Sequence, residues 1–402
     1  IIAQTPFPKG LRVESAPRQE VHPPMSQTLE ILFWLGVFVA LYSYLIYPLL
    51  LTLLQRKRAP RAANPDLPPM TVIITARNEE RRIAEKLENT LALEYPRHLL
   101  EIIVASDAST DATDEIVGRF ADRNVRLARS PERKGKEAAQ GLAIRESRNA
   151  LLVFTDTATR LHPDALQLLA EDFADPQVGA VSSEDELVSP HGEVRGEGAY
   201  VRYEMWLRSL ESNVAGLVGL SGSCFAVRKS VCDRWRTDTP SDITVALLCS
   251  QAGLLAITDG RVKGMYQDLK DESKEFERKK RTIIRGMTAV WELRESLHPR
   301  NGLFALQVWS HKIFRWLVPI GMLLALATSS ALAGDSALYR FFVIVQLAAY
   351  AAAACAYLSV TARRMMPLRI ALFFFVANIA TAAAMWDFLR GVRIVTWNPS
   401  QR

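Results

Sequence analysis

The stretch VFTDTATRLHPDAL, residues 153–166, opens as a buried strand and then turns polar. Val153 and Phe154 follow Leu151 and Leu152, and this apolar run reads as a strand. Asp156 sits where that strand should end, ahead of small residues and a Pro-Asp helix start at Pro163. A carboxylate at the lip of a strand either holds a ligand, such as a metal and a phosphate, or caps a turn. The rest of the chain decides between the two.

Around this stretch, strands and helices alternate. TVIIT (71–75) precedes a predicted amphipathic helix over 79–92, and EIIVA (101–105) a helix opened by Ser109, Thr110 and Asp111. VRLAR (125–129) precedes a helix over 135–147, and ALLVF (150–154) the helix opened by Pro163. This order, with near-continuous apolar strands, predicts an α/β fold with a mostly parallel sheet and helices on both faces. In such sheets ligands bind outside the carboxyl ends of the strands. Those ends carry Arg77-Asn78-Glu79, Asp107 and Asp156. Three polar, mostly acidic strand ends are hard to explain as three unrelated caps, so Asp156 is expected to border a ligand crevice.

The 402 residues are 49% hydrophobic and 23% charged, with a net charge of +6, too long a chain for one small domain. The apolar residues concentrate in 30–54, 316–334, 341–360 and 370–388, each close to the ~20 residues that cross a bilayer as a helix. The first run is too long for a signal peptide and lacks a small-residue cleavage site. Cys224, Cys232, Cys249 and Cys355 form no CxxC pair, so neither a disulfide framework nor a zinc site is expected. Much of the positive charge lies beside membrane runs, in QRKRAPR (55–61) and TARRMMPLR (361–369). There it sets topology and touches anionic lipid. No aromatic-interleaved basic surface argues for nucleic acid.

The crevice has no GxGxxG, no P-loop and no GxSxG elbow. Acidic groups at strand ends suit hydrogen bonding to a nucleobase and ribose, and holding a hard cation against a diphosphate. TVIITARNEE, EIIVASDASTDAT, RKGK and VFTDTATRLHPDAL, in this order, resemble the inverting family-two glycosyltransferases of GT-A fold, which use nucleotide-diphosphate sugars. The resemblance spans about residues 70–300. It continues into SHKIFRWLVP (310–319), which is similar to the membrane re-entry of membrane-bound members.

The resemblance assigns roles residue by residue. TARNEE implies that Ala76, Arg77, Asn78 and Glu79 line the nucleotide pocket. SDASTDAT stands for the family's DDGSTDGT, so Asp107 falls where uracil binds, while Ser106 replaces the first Asp and Asp111 is a helix cap. Lys136 falls where a basic residue approaches the diphosphate. Asp156 matches the first carboxylate of the DxD-type motif and implies a divalent metal, magnesium or manganese. Ala158 replaces the second carboxylate, and Asp268 is a low-ranking substitute. TPSDITVALLCSQAG (239–253) resembles the segment with the catalytic base, which falls on Asp242; its bland alternative is the N-cap of a helix over 243–251. ERKKRTIIRG (277–286) occupies the place of the QxxRW motif, with Arg281 on the motif's Arg, Arg278 for Gln and Thr282 for Trp. Both arginines are expected to reach the donor. GLVGLSGSCFAVRK (216–229) resembles the acceptor-side segment.

The expected protein is thus a membrane glycosyltransferase moving a sugar from a nucleotide-diphosphate sugar, UDP-linked by resemblance, to a lipid-linked or polysaccharide acceptor with inversion. The alternative is a catalytically weak nucleotide-sugar-binding subunit of an exopolysaccharide assembly complex, with partners in that complex; a solute carrier carries little weight. The expected organisation is an extracytoplasmic segment (1–27), a transmembrane helix (28–55), a linker (56–69) and a cytosolic GT-A domain (70–300). An interfacial helix (301–315), membrane helices (316–389) and a tail (390–402) follow, with the whole in a bacterial inner membrane. Charge bias makes 370–388 the awkward run. It is expected to bend back or lie at the interface, returning the tail to the cytosolic face.

Overall fold

Two hydrophobic periodicities organise the protein. A computed structural model describes residues 24–56, 66–188, 199–267 and 275–394. Among these, eight strands form one sheet: β1 (Met70–Ala76), β2 (Leu100–Ser106), β3 (Val125–Arg129), β4 (Leu151–Asp156), β5 (Arg160–Leu161), β6 (Val178–Val188), β7 (Cys224–Arg228) and β8 (Leu255–Gln267). Their order is β3-β2-β1-β4-β7-β6-β8-β5. β1 to β4 pair in parallel, as do β6 and β8. β7 is antiparallel to both its neighbours, and β5 to β8.

Every residue of β1 and β2 is buried, because helices cover both faces. Side chains alternate between the faces with the period of a strand. Ile73, Ile103, Leu152 and Phe154 share a core with Ala139, Ala143 and Val245. Val72, Ile74, Ile102 and Val104 share the other with Ile83, Leu87 and Leu166. Phe154 stacks on Phe225 and Trp235, with centroids 4.9 and 5.4 Å away. The chain builds outward from β1 to β2 and β3, then returns to place β4 on β1's other side. A crevice opens at such a reversal. Asp156 is the last residue of β4 and so stands on its rim.

Among the described residues, four helices are long and apolar enough to cross a membrane: Ser26–Leu54, Pro299–Leu332, Ala337–Leu358 and Met366–Leu389. They turn large apolar groups outward, with Leu53 75% and Leu358 82% exposed. The first two pack through glycines. A Cβ on Gly36 would lie 2.8 Å from the Gly321 carbonyl oxygen and from Ala325 N. Small residues let apolar helices approach this closely. Nearby, each of the two helices widens into a π turn, Tyr42–Ile46 and Trp309–Ile313. The two turns meet: Ser43 Oγ donates to the Ser310 carbonyl at 2.8 Å, and Tyr42 Oη lies 2.8 Å from Ser310 Oγ. Gly36→Val is expected to lower the thermal midpoint in detergent, since overpacking costs roughly 1–3 kcal/mol. Gly334→Ala, where a Cβ meets nothing within 4 Å, is the control. Equal midpoints for the two variants would refute the close crossing.

Helix Met366–Leu389, which holds the run expected to bend back or lie at the interface, is one continuous α-helix. It lies against helix Glu275–Glu292 of the sheet domain. Asp387 pairs with Lys280 at 2.6 Å, Lys279 sits 4.0 Å over the Phe373 ring, and Trp291 meets Phe388 edge-on. Its carboxyl end thus reaches the sheet domain. Most of the N-terminal segment (1–23), the linker core (57–65), Asp268 and the end of the tail (395–402) lie outside the described residues.

Candidate active site

Each side chain at the crevice is placed by a short piece of secondary structure. Asp156 ends β4, and its N–H donates to the Ser223 carbonyl at 3.1 Å. Lys136 opens helix Lys136–Glu146, directly after Gly135, whose φ of 100° suits glycine. Asp107 holds that turn. Its Oδ1 accepts the Lys134 and Gly135 N–H groups at 2.9 and 3.1 Å, and its Oδ2 accepts Gly135 N–H at 3.1 Å. Lys136 therefore projects to the rim, where Nζ donates to Asp156 Oδ1 at 2.6 Å and to the Gly222 carbonyl at 3.2 Å. Burial is the largest influence and opposes its charge, but the carboxylates of Asp156, Glu137 and Asp242 together outweigh it and lift the ammonium's pKa above its ordinary value.

Asp242 lies in the first turn of helix Ser241–Gln251, whose N-cap is Pro240. The side chain makes no capping bond, so the N-cap alternative does not describe it. Glycine at 222 leaves room beside it, since a Cβ there would stand 3.6 Å from Asp242 Oδ2.

Arg278, Arg281 and Arg285 recur along one face of helix Glu275–Glu292. Arg285 reaches Glu137 of helix Lys136–Glu146 at 2.5 Å, locking the two helices together. Among the described residues no carboxylate pairs with Arg278 or Arg281. Burial, with Arg285 and Arg278 beside it, pulls the pKa of Arg281 below the usual guanidinium value.

These groups border one cavity of about 380 Å³. Of the residues singled out in the sequence, Glu79, Lys136, Asp156, Asp242, Arg278 and Arg281 line it. Ala76, Arg77, Asn78 and Asp107 stand behind it, at the ends of β1 and β2. Arg77 Nη1 donates to the carbonyls of Asp107 and Ala108 at 2.5 and 2.6 Å. Asn78 and Ala108 both take a left-handed backbone, φ 52° and 51°, which is uncommon outside glycine. Asn78 Oδ1 accepts the Thr110 N–H at 2.9 Å, and Asp111 Oδ2 accepts the Glu80 N–H at 3.2 Å, tying the two strand ends together.

Sequence reading missed Asp185, Glu137, Arg285 and Lys86. Asp185 also lines the cavity, and its Oδ1 accepts the hydroxyls of Ser221, at 2.6 Å, and Ser223. Arg285 was available from its spacing behind Arg281, whereas Asp185 depends on how β6 pairs. Lys86 is wholly buried under the rim, where Nζ donates to Thr155 Oγ1 at 3.1 Å and the Thr159 carbonyl at 2.6 Å.

Burial lowers the Lys86 pKa from 10.5 to about 7. Between those values the unfolded chain holds a proton that the folded chain has shed. Stability from this group is therefore full above the unfolded pKa and is lost as pH falls toward 7. Wild type is expected to gain on Lys86→Met as pH rises from 7 to 9.5, by at most ~1.4 kcal/mol per pH unit. Parallel stability profiles of the two proteins would show that Lys86 keeps its proton.

Of the five carboxylates bordering the cavity, four are engaged. Arg82 takes Glu79, Arg285 takes Glu137, Lys136 takes Asp156, and the two serines take Asp185. Asp242 makes no side-chain hydrogen bond or ion pair among the described residues, and the Lys136 and Lys312 ammonium groups act on it through charge. A carboxylate without a hydrogen-bonded partner, in one cavity with guanidinium groups that no carboxylate among the described residues pairs, suits proton abstraction and the reception of an anionic leaving group.

The sequence of this region matches a family model described as Glycosyl transferase family 2, over residues 71–234. The chain carries a family 2 glycosyltransferase domain. Over 185 residues, 44% of this chain, it is 26% identical to beta-monoglucosyldiacylglycerol synthase of Nostoc sp., covering 40% of that protein. Over 154 residues, 37% of this chain, it is 32% identical to hyaluronan synthase of Streptococcus pyogenes serotype M3, covering 36%. The matches thus span less than half the length of these curated relatives. The mannosyltransferase PcManGT of Pyrobaculum calidifontis, solved in complex with GDP-Man and Mn2+, superposes with a TM-score of 0.65 at 25% identity. The superposition covers 89% of this chain and 99% of that one. The glycosyltransferase domain has the GT-A fold expected from the sequence, flanked by the four candidate membrane helices.

That neighbour's Mn2+ makes the donor set here worth testing. Ala158 offers no ligand, and the Thr157 hydroxyl is spent on the Thr75 carbonyl at 2.9 Å. Asp156 already faces the Lys136 ammonium. Among the described residues no three His, Cys, Asp or Glu side chains gather as a cation site. The described residues of the glycosyltransferase domain do not fit a divalent cation held by protein ligands.

Proposed function

We propose that this protein is a membrane glycosyltransferase that moves a sugar from a nucleoside-diphosphate sugar to a lipid-linked or glycan acceptor with inversion at the anomeric carbon. The observation that carries this reading is the carboxylate of Asp242, which makes no side-chain hydrogen bond or ion pair among the described residues and lines the same cavity as Arg278 and Arg281. Asp242 accepts the proton of the acceptor hydroxyl. The oxygen then bonds to the anomeric carbon as the bond from that carbon to the diphosphate oxygen breaks, and the negative charge leaves with the nucleoside diphosphate. Arg278 and Arg281 receive that charge, and Lys136 adds to the field. Ala76, Arg77, Asn78, Glu79 and Asp107 shape the nucleotide end, which by resemblance takes a uridine. In this reading Asp107 works by holding the turn that presents Lys136.

The glycosyltransferase domain, residues 70–300 in this reading, faces the cytosol of a bacterial cell, where nucleotide sugars are made. The helices hold it against the bilayer, within reach of an acceptor in the lipid. A panel of UDP- and GDP-sugars, with membrane lipid extract as acceptor source, tests the reading. Release of nucleoside diphosphate that depends on one donor supports it. No release from any donor, by protein that still binds nucleotide, counts against a transferase.

A further inference from the structure

We propose that the donor's diphosphate is neutralised by side-chain cations, Arg281, Arg278 and Lys136, with no requirement for a divalent metal. The inference rests on the nucleotide-sugar reading of the cavity and adds how its charge is balanced.

Three observations carry it. The first is the ligand set. At the end of β4 only Asp156 has a carboxylate, because Ala158 has none and the Thr157 hydroxyl is turned onto Thr75. A hard divalent cation prefers several oxygen ligands, and a single carboxylate leaves most of them to substrate and water.

The second is occupancy of that carboxylate. Lys136 Nζ sits 2.6 Å from Asp156 Oδ1 and is fixed further by the Gly222 carbonyl. The backbone behind Lys136 is fastened by Asp107, so the ammonium is held in place rather than swinging in solvent. A cation on Asp156 has first to displace a buried ammonium. The pair already places positive charge at the lip of the strand.

The third is the supply of uncompensated charge. Arg285 is committed to Glu137, which fixes the pitch of its helix. One and two turns earlier on the same face, Arg281 and Arg278 line the cavity with no carboxylate partner among the described residues. The lowered pKa of Arg281 has the same origin, since burial and two neighbouring guanidinium groups leave it short of negative charge. A diphosphate supplies that charge, and guanidinium groups match its oxygens in pairs.

Isothermal titration of the purified full-length protein with UDP and with GDP, once in EDTA and once in Mn2+, tests this. The expected result is binding of at least one nucleotide with dissociation constants in EDTA and Mn2+ within about threefold of each other. Lys136→Met is expected to weaken that binding about tenfold or more in both buffers, the loss of one charge-assisted contact. Lys136→Arg, which keeps the charge, is expected to retain most of it. Binding that collapses in EDTA and returns with Mn2+ overturns the metal-free proposal while leaving the nucleotide-sugar reading standing. No binding of either nucleotide in either buffer overturns both. Full affinity in Lys136→Met removes Lys136 from the set.

Discussion

Asp242→Asn is expected to lose about 10²–10⁴-fold in transfer rate while binding donor nucleotide as wild type does. Asn keeps the shape of Asp but cannot take up a proton at neutral pH. The other cavity carboxylates are poor replacements, because cations or serine hydroxyls hold them. Nor does the change threaten the fold. The helix is capped without the side chain, and the structural contact at this residue is its backbone carbonyl, which accepts the Leu220 N–H at 3.0 Å. Turnover assay and nucleotide titration on the same preparation check the expectation. Wild-type turnover in the variant would remove Asp242 from the chemistry, and a large loss of nucleotide affinity would move it to the donor side.

Arg281→Gln is expected to raise the dissociation constant for nucleoside diphosphate by roughly 10- to 100-fold. A hydrogen bond to a charged group is worth about 1.5–3 kcal/mol, and each 1.4 kcal/mol is tenfold. Arg281→Lys is expected to recover part of this, since it restores the charge but not the paired donors. The loss is expected to shrink as salt rises, because screening weakens the electrostatic share. Arg285→Gln differs in kind. It breaks the bond to buried Glu137, so reduced thermal stability is its primary effect. Titration at two salt concentrations, with thermal melts of each variant, separates the two arginines.

Much of this was legible in the sequence. The four short runs between residues 71 and 154 became β1 to β4: β1, β2 and β4 are buried and almost continuously apolar, while β3, at the sheet edge, mixes apolar residues with Arg126 and Arg129. The membrane runs were equally plain, because a stretch apolar on every side is explained by little else. What stayed hidden depends on pairing between distant segments. Asp185 enters the cavity because β6 pairs with both β7 and β8, which sequence spacing does not disclose. Lys86 occupies an amphipathic helix on which a lysine reads as solvent-facing, yet its ammonium is buried by Thr155 and Thr159, some seventy residues away. The last helix was expected to bend back or lie at the interface because its charges made a simple span awkward. It is one continuous helix whose Asp387 pairs with Lys280 of Glu275–Glu292, a partner invisible from the local charge pattern.

In the proposed reaction a single displacement at the anomeric carbon, with Asp242 as the base, fixes the stereochemistry of the product. The direct measurement is ¹H NMR of the anomeric proton in the product made by the reconstituted protein from an α-linked nucleotide sugar that the donor panel identifies. Attack by an acceptor oxygen on the face opposite the leaving diphosphate predicts a β linkage. An α linkage would contradict the account, since it requires either a second displacement or attack from the same side.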